Sequence, residues 1–172
     1  MKRILLSLIL FFVFTQISVS QTITTCFEIN RILVDACPSD EGLNEQVSFQ
    51  VGPNALNTSD LQVTWPNTSN SWSGVCQDAT TSSKVAQLNG TVNSFGFFRE
   101  PQGGVLPANS KVLLFTSVNA DVSGLSFAGL TDTLYVIFHC GGSSAGNFAN
   151  YGTGIRTLTM SFNNPSGCSD QV

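Results

Sequence analysis

The chain of 172 residues contains 15 glycines, one histidine and only 10% charged residues, with a formal net charge of −4. The acidic balance argues against a nucleic-acid partner, because phosphates require clustered Lys and Arg. A single histidine also excludes most multi-histidine metal centres. The length allows one or two domains, and the patterns along the chain favour a single all-β domain.

The N-terminus has the pattern of an export signal. A short basic segment precedes an apolar run over Ile4–Phe14, and Ser18 and Ser20 are the small residues that a signal peptidase reads. The apolar run is shorter than the roughly 20 residues that a membrane-spanning helix needs, so a retained anchor is the weaker alternative. We expect residues 1–20 to be removed. Residues 21–172 are then expected to be secreted or held at the cell surface, without a transmembrane span.

Five cysteines fit an oxidising compartment, in which disulfides form and persist. None of them forms the C-x-x-C pair of a zinc ribbon or a thioredoxin-like site. We predict a Cys140–Cys168 bridge, because a strand out and back between these residues would return the chain near its start. A Cys37–Cys76 bridge is the second choice. The odd number leaves one thiol free or paired outside this chain.

Runs with strand character occur, in chain order, at residues 31–35, 46–51, 61–65, 111–116, 133–139 and 155–162. Several of these runs alternate apolar and polar residues, which is typical of strands with one buried face. The runs at 111–116 and 133–139 are continuously apolar, as expected for strands covered on both faces. No segment carries a sustained apolar spacing of three and four, so we expect no long helix. The spacing predicts a sandwich of two packed antiparallel sheets.

The alternation also predicts which side chains face the core. The expected inward residues are Val47, Phe49, Val51, Leu113, Phe115, Leu134, Val136, Phe138, Leu158 and Phe162. Trp65 ends an alternating strand in phase with these apolar positions, so it is expected to be buried. The polar stretch 67–83, which contains Trp72 and Cys76, is predicted to be a long ordered loop pinned by a disulfide.

An acidic turn is the first candidate site. Asp35, Asp40, Glu41 and Glu45 lie within eleven residues, beside turn-forming residues. Calcium takes six to eight oxygen ligands, and such a turn could supply half of them. The spacing does not match an EF-hand loop. The alternative is a solvated acidic turn that blunts a sheet edge. Calcium is the one cofactor that the sequence suggests.

Trp72 is the second candidate, as a stacking platform for a sugar ring. It lies in a polar loop, so it is expected to be more exposed than the other aromatic residues, most of which belong in the core.

Catalysis has weaker support. His139 is the only available base, it ends an apolar strand, and no G-x-S-x-G motif precedes a helix. We therefore expect no enzymatic activity.

Several segments together resemble the lamin-tail-like domains of exported Bacteroidetes surface proteins. The segments are Ile32–Cys37, Glu41–Gly52 and Gly103–Ser117. Asp35 and Glu45 match the first two acidic positions of that family. The family then has an aromatic residue directly after the position of Glu45 and another acid two positions later, where this chain has Gln46 and Ser48. The resemblance implies an immunoglobulin-like antiparallel β-sandwich of about 7–9 strands. It also implies an accessory module of secreted, multidomain surface proteins, and it brings no catalytic residues.

Two functional classes follow from these observations. The first is a non-catalytic structural or adhesive module whose partners are neighbouring domains or surface proteins. The second is a recognition module that binds carbohydrate or depends on calcium, with Trp72 or the acidic turn as its site. The odd cysteine and a last segment that resembles the entry to another strand predict the N-terminal part of a larger protein. The alternative is a complete small secreted protein.

Overall fold

A computed structural model describes residues 26–34, 41–66, 70–142, 147–148 and 157–172. The strands are β1 (Phe27–Leu33), β2 (Gln46–Val51), β3 (Leu56–Asn57), β4 (Leu61–Thr64), β5 (Val75–Cys76), β6 (Phe97–Arg99), β7 (Val105–Leu106), β8 (Lys111–Phe115), β9 (Thr133–His139), β10 (Thr159–Phe162) and β11 (Cys168–Gln171). The described residues contain one α-helix, α1, which spans Ala79–Asn89. The predicted export signal and Cys37 lie outside the described residues. Within those residues, no helix is long and apolar enough to cross a bilayer.

The strands form two packed sheets and a small ribbon. The main sheet has the order β1-β2-β8-β9-β5, and β6 also pairs with β9. The second sheet has the order β11-β10-β4, and β3 pairs with β7 in the ribbon. The predicted all-β sandwich is therefore confirmed. Eleven strands are described, three of them only two residues long.

The prediction of purely antiparallel sheets is wrong. β8 and β9 run parallel, and so do β6 and β9. Parallel neighbours need a crossover connection of about a dozen residues or more, and residues 116–132 provide it between β8 and β9. Apolar residues of this connection and of α1 pack on the outer face of the main sheet. The crossover thus covers the face that an antiparallel hairpin would have left to solvent.

The sandwich consequently has two hydrophobic cores. The first lies between the sheets, where the rings of Phe27, Phe49 and Phe162 meet with centroids 5.3–6.4 Å apart. The second lies between the main sheet, α1 and the crossover. Strands β8 and β9 supply alternate residues to the two cores, as their continuous apolar runs predict. Every predicted inward residue is buried except Leu134, which is half-buried, and Trp65 is buried as expected. However, half of the predicted inward residues lie in the second core on the outer face of the main sheet, so their predicted orientation toward the second sheet is wrong: Leu113, Phe115, Leu134, Val136 and Phe138.

Helix α1 contradicts the prediction of a loop over 67–83, because its first residues fall in that stretch. The carboxylate of Asp78 accepts hydrogen bonds from the backbone N–H groups of Thr80 and Thr81, and Thr81 Oγ1 accepts from the Asp78 N–H in return. This capping box starts the helix. Only Thr81, Val85 and Leu88 are buried. An apolar stripe this narrow leaves the sequence without a visible helical period.

The disulfides join Cys26 to Cys168 and Cys76 to Cys140, so both predicted pairings are wrong. Cys140 follows β9 in the main sheet, whereas Cys168 begins β11 in the second sheet. The chain after Cys140 crosses to the other sheet instead of returning to its start. The N-terminal β1 lies against β11 instead, and the Ile29 N–H donates to the Asp170 carboxylate at 2.7 Å.

Candidate functional site

A groove of about 450 Å³ opens on the surface beside β4. One wall is formed by residues of Thr58–Gln62, and the other by Trp72–Val75, the segment that leads into β5. We call it the Trp72 groove. It contains Trp72, the candidate platform residue from the sequence, whereas none of its other lining residues was predicted to bind a ligand.

The indole of Trp72 is held in place from several directions. Its Nε1–H donates to the carbonyl oxygen of Leu61 at 2.8 Å. The ring stacks on the imidazole of His139, with centroids 4.7 Å apart and planes 13° from parallel. Trp65 contacts it at a tilt, with centroids 6.0 Å apart. The structure therefore places Trp72 half-buried and fixed in orientation. Phe95 and Phe97 are more exposed, so the prediction that Trp72 is the most exposed aromatic residue is wrong.

The segment that carries Trp72 is fastened to β9. The Ser73 N–H donates to His139 Nε2 at 3.0 Å, and the Cys140 N–H donates to the Gly74 carbonyl oxygen at 2.9 Å. Val75 then pairs with His139 in the sheet, and Cys76 is bonded to Cys140. The predicted disulfide pin on this stretch is therefore present, although its partner is Cys140. Gly74 adopts φ +90°, a conformation that glycine tolerates best.

His139 lies beneath the groove and is buried. Its Nδ1 is 2.9 Å from the carbonyl oxygen of Thr116, and its Nε2 faces the Ser73 N–H. These partners assign the proton of the neutral ring to Nδ1. Burial lowers the pKa of His139, although hydrogen bonds to the Thr116 and Ser71 backbones act in the opposite direction. The ring is thus a neutral support beneath the Trp72 indole.

All of the lining residues of the Trp72 groove that the structure describes are uncharged. They include the hydroxyl-bearing residues Thr58, Ser59 and Ser73, the amide-bearing Gln62 and the indole of Trp72. Ser59 and Gln62 are exposed. Neutral donors and acceptors beside an aromatic surface suit an uncharged polar ligand, whereas ions and phosphates would find no opposite charge in this lining.

The acidic turn is only partly described. Asp35, Asp40 and the side chain of Glu41 lie outside the described residues. Glu45 is buried at the start of β2, where its carboxylate accepts hydrogen bonds from the backbone N–H groups of Asn147 and Phe148. Among the described residues, no group of three or more His, Cys, Asp or Glu side chains could hold a metal ion. Glu45 thus ties a distant segment to β2, and the calcium site stays a prediction.

Part of the groove could have been anticipated from the sequence. Alternation along β4 turns Gln62 outward between Leu61 and Val63, and this pattern is readable without a structure. The stacking of His139 on Trp72 was missed, because it depends on the pairing of β5 with β9 across a sequence separation of more than 60 residues.

Comparison with known proteins finds no family model, no curated protein and no solved structure that matches this chain. The resemblance to lamin-tail-like domains therefore rests on the sequence motifs alone. What the chain does must be inferred from its fold and from the Trp72 groove.

Proposed function

We propose that this chain is an exported, non-catalytic structural or adhesive module that acts in the secreted space or at the cell surface. Its partners are neighbouring domains or other surface proteins. The observation that carries this proposal is the pair of disulfides, Cys26–Cys168 and Cys76–Cys140, in a β-sandwich. One bridge joins the two sheets, and the other fastens β5 to the end of β9.

The disulfides support an exported location, because stable bridges are characteristic of oxidising compartments and rare in the cytosol. They also suit a module that must keep its shape outside the cell. The two bridges join cysteines whose sequence separations are 142 and 64. Closing loops of this length strongly restricts the conformations of the unfolded chain. The apolar run over Ile4–Phe14 supplies the matching export signal in the sequence.

The geometry around His139 supports the non-catalytic part of the proposal. Ser73 Oγ lies 3.0 Å from His139 Nε2, which is the contact expected of a nucleophile and its base. However, the backbone N–H of Ser73 donates to the same nitrogen, so the lone pair that would accept the hydroxyl proton is already engaged. The neighbouring Cys140 cannot act as a thiolate, because its sulfur is in a disulfide.

Export and oxidation can be tested on the same sample. The full chain is expressed with its own leader in a Gram-negative host, and the extracytoplasmic fraction is analysed by N-terminal sequencing and non-reducing peptide mapping. We expect a mature N-terminus at Gln21 and both bridges in place. A chain that stays in the cytosol with reduced cysteines contradicts the proposal.

The absence of catalysis is tested by incubating the purified protein with p-nitrophenyl acetate and p-nitrophenyl glycosides. We expect release of p-nitrophenol at the rate of the buffer alone. Turnover that disappears in the His139→Gln or Ser73→Ala variant would overturn the non-catalytic assignment. Turnover that both variants keep would overturn it as well, and would place the activity elsewhere on the chain.

A further inference from the structure

We infer that the Trp72 groove is a binding site for a neutral saccharide, through which the module adheres to glycans. This inference rests on the proposed adhesive function and adds its ligand. It requires three properties of the groove: a suitable chemistry, a suitable size and an aromatic surface that is already in place before the ligand arrives.

The chemistry of the lining matches an uncharged sugar. Sugars present hydroxyl groups at the ring edge and apolar C–H groups on the ring face. The exposed Ser59 and Gln62 offer neutral donors and acceptors to the sugar hydroxyl groups. The half-buried indole of Trp72 offers an aromatic surface to the apolar face of the sugar ring. The described residues that line the groove include no Lys or Arg, and the whole chain has a net charge of −4. Both facts disfavour acidic glycans.

The dimensions of the groove also fit. Its volume of about 450 Å³ lies within the usual range for small-ligand sites, roughly 300–1,000 Å³. It is open along the surface between Thr58–Gln62 and Trp72–Val75. A ligand in the groove would therefore contact both of these segments.

The aromatic surface is preorganised. Trp72 is fixed by the stack on His139 and by its hydrogen bond to Leu61, and its segment is fastened to β9 by the Cys76–Cys140 bridge. A side chain that is already ordered loses little conformational entropy when a ligand binds. The buried, neutral His139 thus supports the Trp72 indole by stacking against it.

The test uses intrinsic fluorescence, because the chain has two tryptophans, Trp65 and Trp72, and their rings contact each other beside the groove. The oxidised full-length mature protein is titrated with neutral tetrasaccharides of glucose, xylose and mannose, and with tetragalacturonate as the charged probe. We expect saturable quenching by at least one neutral probe and none by tetragalacturonate. No response to any neutral probe, or saturation by tetragalacturonate alone, overturns the inference.

Variants are then compared by isothermal titration calorimetry with the best probe. Trp72→Ala is expected to weaken binding at least ten-fold, Gln62→Ala several-fold, and Trp72→Phe less than Trp72→Ala. Phe95→Ala is the matched control, because Phe95 is 97% exposed and does not line the groove. Near-ultraviolet circular dichroism checks that each variant is folded, and the exposed Gln62 allows a test that does not disturb the core.

The outcomes separate this inference from the proposed function. Wild-type affinity in both Trp72→Ala and Gln62→Ala, or loss of binding in Phe95→Ala, overturns the saccharide groove and leaves the adhesive module in place. Cleavage of the bound tetrasaccharide, detected by chromatography, overturns the non-catalytic assignment and leaves the groove in place.

Discussion

Removal of the Cys76–Cys140 bridge should destabilise the fold and loosen the Trp72 platform at the same time. The double variant Cys76→Ala, Cys140→Ala avoids leaving a single unpaired thiol in the sandwich. For a sequence separation of 64, the loop-entropy relation gives about 4 kcal/mol of lost stability. For a chain of this size that loss lowers the melting temperature by roughly 8–16 °C. It is also a large part of the 5–15 kcal/mol that is typical of a domain.

Urea unfolding, followed by circular dichroism, measures the loss, and tryptophan emission reports on the platform. We expect the emission maximum to shift to longer wavelength in the native state of this variant, since the Trp72 segment loses one of its attachments to β9. The control is Cys26→Ala, Cys168→Ala, which removes the longer loop but leaves β5 attached. It should lose a comparable amount of stability without the emission shift. A loss below about 1 kcal/mol in the first variant, or the same emission shift in both, would refute the reasoning.

Three further predictions concern single residues. Phe49→Ala should lower the free energy of unfolding in urea by about 3–5 kcal/mol, because Phe49 is fully buried between the sheets, and a loss under about 1 kcal/mol would show that the core is packed differently. Burial lowers the pKa of His139 below 6.5, so as the pH falls the unfolded state takes up the proton before the folded state does, and the free energy of unfolding should decrease below pH 6.5. This decrease should be shallower in His139→Gln, and equal slopes in the two proteins would contradict the prediction. Glu45→Gln should cost roughly 1.5–3 kcal/mol, because the carboxylate accepts hydrogen bonds from the Asn147 and Phe148 amides, and urea titrations at pH 7 would disprove this if the midpoint does not move.

Six of the eleven described strands overlap the runs found in the sequence, and the other five were not predicted: β3, β5, β6, β7 and β11. The bounds of β2 and β9 coincide with the runs found in the sequence. In such strands most of the buried positions are apolar, so the residue pattern shows directly where the strand begins and ends. Helix α1 left no such pattern, since only three of its residues are buried and most of the others are polar. Its start could have been located from Asp78 and Thr81, the two residues of the capping box.

Long-range features could not be predicted in the same way. The parallel pairing of β8 with β9 and both disulfides depend on which segments meet in space, and residue alternation carries no information about partners. Trp72 was identified from its polar surroundings, but its fixed orientation depends on His139, which lies 67 positions further along the chain. The sequence therefore pointed to one residue of the groove and not to the site as a whole.

The central claim is that a neutral saccharide binds beside a preorganised Trp72. The most direct measurement is a ¹H–¹⁵N NMR titration of the oxidised protein with the neutral tetrasaccharides, following the two indole N–H signals of Trp65 and Trp72. We predict a saturable shift of the Trp72 signal, shifts of the Ser59 and Gln62 amides and a much smaller change for the buried Trp65. An unchanged Trp72 signal at saturating sugar, or shifts confined to the surroundings of Phe95, would contradict the claim.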